Sequence, residues 1–165
     1  MWAEKEMHNL VKMAKGGIRV PDVVVLKKHV LLMSFIGHEG RPAPKLKEAA
    51  ERMSGQELEM AYNQIVEMMC SLYSNCHLVH ADLSEYNILW WQKEAWFIDV
   101  SQAVEPIHPS GLDFLLRDCT NIYNVRTNRK LMTFNKIVFY FSSSVRKVSR
   151  FLSLMNSSAW CLVLR

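Results

Sequence analysis

The chain has 165 residues, half of them hydrophobic and 22% charged, which predicts one globular domain with a modest core. Its four cysteines form no CxxC pair and no signal-like segment opens the sequence, so the composition argues against a secreted disulfide framework and favours a cytoplasmic setting. The net charge of +4 conceals an asymmetry, because residues 125–165 contain eight Lys or Arg and no acidic residue.

The first third of the chain predicts one helix and two strands. Apolar residues at helical spacing predict an amphipathic helix over residues 1–15, which the Gly16-Gly17 pair would end. Residues 23–26 are all apolar, as are residues 30–36 apart from Ser34, and these two runs on either side of a Lys-Lys-His turn predict two buried strands. The proline-containing stretch at residues 37–50 is typical of an extended connector.

The remaining patterned segments predict a long helix, a hairpin and another helix. Ser54 and Glu57 form a capping box in front of the long helix. Apolar segments at residues 88–91 and 95–98, separated by a polar turn, predict the two strands of the hairpin. Ser110 and Asp113 form a second capping signature ahead of the last helix.

Three oxygen-bearing side chains, Asp82, Asn87 and Asp99, are spaced so as to gather at one end of this hairpin. A buried uncompensated carboxylate is costly and usually needs a partner or a cation. Taken singly, an Asp or Asn at the end of a strand is more often a turn or cap residue than a metal ligand. Together they suit phosphoryl transfer, which needs a carboxylate beside the attacking hydroxyl and oxygen ligands for Mg²⁺.

The motif around these residues resembles that of a protein kinase, with informative departures. The sequence reads H-A-D-L-S-E-Y-N and then I-D-V-S-Q, so Ala81 replaces the usual Arg, Ser84 stands where Lys or Arg is common, and no glycine follows Asp99. The pattern H-x-D-x-S-x-x-N followed by I-D-x-x-Q resembles the RIO family of atypical serine/threonine protein kinases. The stretches MWAEKEMHNL, VLLMSFIG and VEPIHPSGLDFLLRDCTN extend the resemblance over residues 1–124.

The resemblance implies an α+β, protein-kinase-like (RIO) fold with a partial upper lobe and a mostly helical lower lobe that carries a catalytic hairpin. Residues 1–124 would be a partial RIO kinase domain, and residues 125–165 a basic tail of unrelated character and poor order. It further implies ATP and Mg²⁺ as cofactors and small ribosomal subunit maturation as the setting, with pre-40S particles or signalling adaptors as partners. No membrane insertion is expected.

The same resemblance assigns a role to each site residue. Asp82 would be the catalytic aspartate, while Asn87 and Asp99 would hold Mg²⁺. Glu6 would be the helix glutamate that pairs with a lysine. The segment Met33, Ser34, Phe35 and Ile36 would be the hinge whose backbone binds adenine. In some members an aspartate at the position of Asp99 accepts phosphate, so turnover would resemble an ATPase cycle.

Two parts of a kinase nucleotide site are not recognisable in this sequence. The six glycines form no phosphate-binding loop, and Lys27 and Lys28 occupy a strand turn, which is the wrong place for the nucleotide-binding lysine. Both parts normally precede the helix that carries Glu6. An alternative hypothesis is therefore a catalytically inactive kinase fragment that serves as a protein-interaction module.

Other hypotheses concern the cysteines, His80 and the basic tail. Cys70, Cys76, His77 and His80 could be drawn as a zinc site, but their spacing matches no standard pattern. His80 is interpreted as structural, with its ring bonded to nearby backbone. The basic tail could contact nucleic acid or an anionic membrane surface, although a lone basic run is usually solvated. Its apolar stretch at residues 137–141 is far too short to span a membrane.

Overall fold

The computed structural model describes residues 2–127, so the predictions for residues 128–165 lie outside the described part of the chain. Its elements, in chain order, are α1 (Trp2–Lys15), β1 (Val23–Lys27), β2 (Val30–Met33), β3 (Gly37–His38), β4 (Arg41–Pro42), α2 (Leu46–Ala50), α3 (Gly55–Ser74), β5 (Ile88–Trp91), β6 (Glu94–Phe97) and α4 (Gly111–Thr127). The strands form three separate antiparallel pairs, β1–β2, β3–β4 and β5–β6. The prediction of a mixed helix and strand architecture is confirmed.

The long helix α3 is the centre of the core. It begins at the predicted capping box, in which the Ser54 hydroxyl accepts from the Glu57 N–H and the Glu57 carboxylate accepts from the Ser54 N–H. Nine residues of α3 are buried, and they face the hairpin β5–β6 on one side and α4 on another. The largest fully buried side chains around it come from several elements: Phe97, Leu10, Met13, Leu46, Ile65, Leu83, Ile88 and Ile122.

The segment between α1 and β1 is tied to the hairpin through Arg19. Its Nε donates to the Ala95 carbonyl at 3.0 Å, and Nη2 donates to Oε1 of Gln64 on α3 at 2.9 Å. In the other direction the Phe97 N–H donates to the Arg19 carbonyl at 2.9 Å. One partly buried arginine therefore joins the segment after α1 to α3 and to the hairpin, because its fork of donors can reach several acceptors at once.

The structure differs from the sequence-based predictions in α1 and the first sheet. Helical spacing predicts Leu10 and Val11 on the apolar face of α1, but Val11 is 38% exposed and the buried residues are Asn9, Leu10 and Met13. Strands β1 and β2 form where they were predicted to begin, but β2 ends at Met33 rather than at residue 36, and the prediction that the strands are buried is wrong. Cross-strand partners share one face of a sheet, and the face that carries the Val25–Leu32 pair is exposed.

The predicted extended connector at residues 37–50 also contains regular structure. Its first part forms the short β3–β4 pair, and its end forms α2. Lys45 bridges to Leu89, and the Trp90 N–H donates to the Pro44 carbonyl at 2.9 Å, so the segment runs along β5. The last helix, α4, spans Gly111–Thr127.

Candidate active site

Asp82 lies on a loop between two anchored points. Before it, Val79 and Val104 exchange both backbone hydrogen bonds, at 2.8 and 2.9 Å. After it, the chain enters β5 directly beyond Asn87. The Asp82 side chain is exposed between these anchors. A carboxylate in that position is accessible to a substrate hydroxyl.

Asn87 is bonded directly to Asp82. Its side-chain Nδ2 donates to the Asp82 carbonyl at 2.9 Å and to the Asp82 Oδ2 at 3.3 Å. The Asn87 N–H donates to the Ser84 carbonyl at 3.0 Å, which closes a turn over the intervening residues. Because the amide nitrogen faces Asp82, the Oδ1 atom of Asn87 is left as an acceptor for a cation or a donor.

Asp99 follows the second strand of the same hairpin. The Ile98 N–H donates to the Asn87 carbonyl at 3.1 Å and so continues the β5–β6 ladder by one step. This step brings Asn87 and Asp99 onto adjoining backbone segments. Asp99 has a φ of +57°, and its Oδ1 accepts from the Ser101 hydroxyl at 3.2 Å. The three side chains singled out by their spacing thus lie at one end of the hairpin.

The donor atoms at this end suit Mg²⁺ better than zinc. Within residues 2–127, no group of three or more His, Cys, Asp or Glu side chains is arranged to hold a metal ion. Mg²⁺ prefers hard oxygen ligands and is commonly bound by only one or two protein groups together with water and phosphate oxygens. One carboxylate from Asp99 and one amide oxygen from Asn87 fit that coordination.

Glu6 on α1 faces this region. Burial raises the pKa of the Glu6 carboxyl, and the negative charge of Asp99 raises it further. The like charge of Asp99 disfavours ionisation of Glu6, so a cation placed between the two carboxylates would relieve this repulsion. Glu6 therefore lies near the predicted metal ligand Asp99.

The predicted hinge, Met33–Ile36, is bound to other parts of the chain. The Ser34 N–H donates to the Asp22 carbonyl, and the Asp22 N–H donates to the Ser34 hydroxyl, both at 2.8 Å. The Ile36 carbonyl accepts from the Ala43 N–H at 2.9 Å. These bonds run to Asp22 and Ala43 rather than to the loop of Asp82, and they occupy the Ser34 N–H and the Ile36 carbonyl. Adenine would therefore have to bond to other backbone groups of the segment.

Asp118 on α4 holds the backbone on both sides of Asp82. Its Oδ2 accepts from the Ala81 N–H at 2.8 Å and its Oδ1 from the Leu83 N–H at 2.9 Å. The neighbouring Arg117 guanidinium donates to the Ala81 carbonyl. Asp118 is 1% exposed, and this burial raises the pKa of its carboxyl to about 6 in spite of the two hydrogen bonds. The buried Asp118 carboxylate therefore fixes the backbone of the Asp82 loop.

His80 has the structural role expected from the sequence. Its ring is 1% exposed and lies edge-on to the Phe97 ring, with centroids 5.9 Å apart. Nε2 contacts the Ile98 carbonyl at 3.2 Å. Burial lowers the pKa of His80, so the ring is neutral at pH 7 and donates through Nε2. The prediction that this ring bonds nearby backbone is confirmed.

Sequence reasoning missed Asp118, Arg117 and Asn9. Each stands on a helix, where a polar residue is usually taken as solvated. The available signal was position, because Asp118 falls between Leu115 and Ile122 on the apolar face of its helix, and Asn9 precedes Leu10 on the buried face of α1. A polar residue on an apolar face needs a specific partner.

Comparison with known proteins establishes the family. A family model described as "RIO domain" matches residues 1–137. Serine/threonine-protein kinase RIO3 of Mus musculus is 62% identical over 122 residues, which cover 74% of this chain and 23% of that protein. Serine/threonine-protein kinase RIO1 of Homo sapiens is 45% identical over 121 residues, covering 73% and 21% of the two chains. The chain belongs to the RIO family, as its motifs predicted.

The fold agrees with solved structures of the family. The Rio2 kinase–ADP/Mg²⁺–phosphoaspartate complex from Chaetomium thermophilum aligns with a TM-score of 0.65 and 21% identity, over 80% of this chain and 40% of that one. A second solved structure of the Rio2 kinase from Chaetomium thermophilum aligns with a TM-score of 0.67 and 20% identity. The protein-kinase-like RIO fold is thereby confirmed. The chain spans about a quarter of the length of the RIO3 and RIO1 relatives.

Proposed function

We propose that this chain carries the catalytic and metal loops of a RIO-type serine/threonine kinase or ATPase that uses Mg²⁺ and ATP. The observation that carries the proposal is the hydrogen-bonded pair Asp82–Asn87 beside Asp99 at one end of the hairpin. Membership of the RIO family and the serine/threonine kinase names of its relatives support the same reaction class. The roles of Met33–Ile36 in adenine binding and of Glu6 in lysine pairing remain part of this proposal.

In the proposed reaction Asp82 orients the attacking hydroxyl. Its exposed carboxylate accepts the hydroxyl hydrogen bond, while Asn87 Nδ2, 3.3 Å from Oδ2, fixes the orientation of the carboxylate. Asn87 and Asp99 would hold Mg²⁺, which supplies neutralisation of the charge that builds on the phosphate oxygens. Asp118 and Arg117 contribute by holding the backbone of Ala81, so that Asp82 needs little reorganisation.

Asp99 is proposed to have a second role as phosphate acceptor. The aligned Rio2 kinase was solved as an ADP/Mg²⁺–phosphoaspartate complex, which supports an aspartyl phosphate in the family. In this chain the Asp99 side chain is exposed and would be open to an incoming phosphoryl group. The terminal phosphoryl group of ATP would bond to a carboxylate oxygen of Asp99 with release of ADP, and water would then hydrolyse the acyl phosphate.

The cellular setting is also part of the proposal. We propose small ribosomal subunit maturation in the cytoplasm, with pre-40S particles or signalling adaptors as protein partners. None of the helices within residues 2–127 is long and apolar enough to cross a membrane. The proposed domain organisation remains a partial kinase domain at residues 1–124 followed by the basic segment 125–165. The competing proposal is an inactive fragment that only binds proteins.

Thermal unfolding with and without Mg²⁺-ATP tests the proposed site. A ligand at a hundred times its dissociation constant stabilises a protein by about 2.7 kcal/mol when it binds only the folded state. For a chain of this length such a stabilisation raises the melting temperature by roughly 5–10 °C. We expect this rise in the wild-type chain, and we expect EDTA or the substitution Asp99→Asn to remove most of it.

Asp113→Asn is the matched control, because Asp113 is an exposed aspartate in the first turn of α4. This variant should keep the full Mg²⁺-dependent shift. Cooperative melting of the wild-type chain with no shift at saturating Mg²⁺-ATP would contradict the proposal and favour the protein-binding fragment. An equal loss of the shift in Asp113→Asn would show that the effect of Asp99→Asn is not local.

A further inference from the structure

The backbone carbonyls on both sides of Asp99 are held by buried side chains. His80 Nε2 contacts the Ile98 carbonyl at 3.2 Å, and Asn9 Nδ2 donates to the Val100 carbonyl at 2.8 Å. His80 is 1% exposed and Asn9 is 7% exposed. His80 lies 19 residues before Asp99, whereas Asn9 comes from α1 and is 91 residues from Val100. The carbonyl of Val100, the residue that follows Asp99, is therefore held by a distant helix.

This fixation matters because the Asp99 backbone is strained. Its φ of +57° lies in the left-handed region, which disfavours residues with a Cβ atom. Such a conformation persists only where surrounding contacts determine it. With the carbonyls of Ile98 and Val100 held on either side, the Asp99 side chain has a defined direction. Loss of either contact would let the backbone around Asp99 rotate toward a relaxed geometry.

The identity of the donor at Asn9 is fixed by its partner. A backbone carbonyl only accepts hydrogen bonds, so the amide nitrogen of Asn9 must face Val100. Glu6 lies one turn earlier on the same side of α1, and its carboxylate is repelled by that of Asp99. The hydrogen bond from Asn9 therefore attracts α1 to the backbone beside Asp99, where the carboxylates of Glu6 and Asp99 repel each other.

We infer that Asn9 is a positioning residue for Asp99. Its hydrogen bond from α1 to the Val100 carbonyl holds the backbone that carries Asp99. This inference rests on the proposed Mg²⁺-ATP site. Residues that orient a metal ligand without touching the metal usually change metal affinity about 10–100-fold when they are replaced. A purely structural asparagine would instead change stability and leave the metal dependence of binding unaltered.

The test uses the full chain and calorimetric binding of ATP, measured with Mg²⁺ and again in EDTA. Asn9→Leu has a similar volume and lacks the donor. Ser71→Ala is the matched control, because it removes another long-range bond from a side chain to a backbone carbonyl, that of Ser71 to Gly16 at 3.2 Å. We expect Asn9→Leu to lower the Mg²⁺-dependent gain in ATP affinity about tenfold. Its affinity in EDTA should stay within twofold, and Ser71→Ala should retain both values.

Three outcomes separate this inference from the proposed function. If the wild-type chain binds no Mg²⁺-ATP, the proposed function fails and this inference fails with it. If the wild type binds and Asn9→Leu keeps the full Mg²⁺-dependent gain, or loses affinity equally in EDTA, only this inference is overturned. A selective loss of the Mg²⁺-dependent gain supports it. Should Asn9→Leu not melt cooperatively, Asn9→Ser, which is too short for the direct bond and adds no bulk, takes its place with the same criteria.

Discussion

At the scale of single residues, the loop of Asp82 depends on Ala81. This alanine has a φ of +67°, a conformation that non-glycine residues adopt rarely and at a cost of about 1–2 kcal/mol. Its N–H is held by Asp118 and its carbonyl by Arg117. Two adjacent residues of α4 therefore fix both polar groups of the strained residue that precedes the candidate catalytic aspartate.

Replacement of Asp118 by alanine should lower the free energy of unfolding. It would leave the N–H groups of Ala81 and Leu83 buried without an acceptor, and each such donor costs roughly 1–3 kcal/mol. We expect the free energy of unfolding in urea to fall by about 2–6 kcal/mol. Thr120→Ala, on the exposed side of the same helix, is the control and should stay within about 0.5 kcal/mol of wild type. Equal effects of the two substitutions would show that water satisfies the loop donors.

The same residues show what the sequence could and could not predict about the site. Asp82, Asn87 and Asp99 were found because they stand at fixed spacings in a short motif within one hairpin. Asn9 and Asp118 act through backbone atoms of Val100, Ala81 and Leu83, which lie 91, 37 and 35 residues away. Spacing along the chain carries no information about such contacts, since they exist only after the helices have packed.

At the scale of elements, the β1–β2 pair has two unlike faces. Leu26 pairs with Leu31, and both are half-buried on the side where α1 packs. Val25 pairs with Leu32 on the other side, and these side chains are 49% and 54% exposed. A continuous apolar run predicts burial on both faces, which is why the sequence suggested buried strands. In the described part of the chain, only one face has a packing helix.

The exposed face should promote self-association, because apolar patches on sheet surfaces favour contact with other molecules. We expect the double substitution Val25→Thr and Leu32→Thr to reduce oligomers in sedimentation velocity, while the free energy of unfolding changes by less than about 1 kcal/mol. Leu31→Thr, on the α1 side, should instead cost roughly 1–3 kcal/mol and leave association unchanged. A wild-type chain that sediments as a monomer at high concentration would contradict the role of this face.

At the scale of the whole molecule, local signals predicted the order of elements well. The capping box at Ser54, the strand pairs β1–β2 and β5–β6 and the last helix stand where patterning placed them. The departures are in short elements whose existence depends on packing. The five-residue α2 is too short to be stable alone, and it forms where Leu46, Ala49 and Ala50 become buried and the Lys47 N–H donates to the Glu85 carbonyl at 3.1 Å.

Packing of the helices also buries cysteine thiols. Their burial makes the stability of the whole molecule depend on pH. Cys70 and Cys76 are buried, and Cys119 is partly buried. Burial raises the pKa of the Cys70 thiol to about 11 and of the Cys119 thiol to about 12, and it raises the pKa of Cys76 as well. All three shifts have the same sign, so their effects on stability add.

The folded chain should therefore lose stability in alkaline solution. A thiol in the unfolded chain ionises near pH 9, whereas Cys70 stays protonated in the folded chain until about pH 11. Its stabilising contribution is complete below pH 9 and is lost as the pH rises through 11, at up to about 1.4 kcal/mol per pH unit. Urea unfolding with reductant at pH 7, 8, 9 and 10 measures this slope.

Cys70→Ala should be less stable at pH 7, because it leaves a small cavity, but should show a shallower decline above pH 9 than wild type. Cys161→Ala, which changes a thiol outside the described residues, is the control for cysteine removal itself. Parallel declines in wild type and Cys70→Ala would mean that the Cys70 thiol ionises equally in both states.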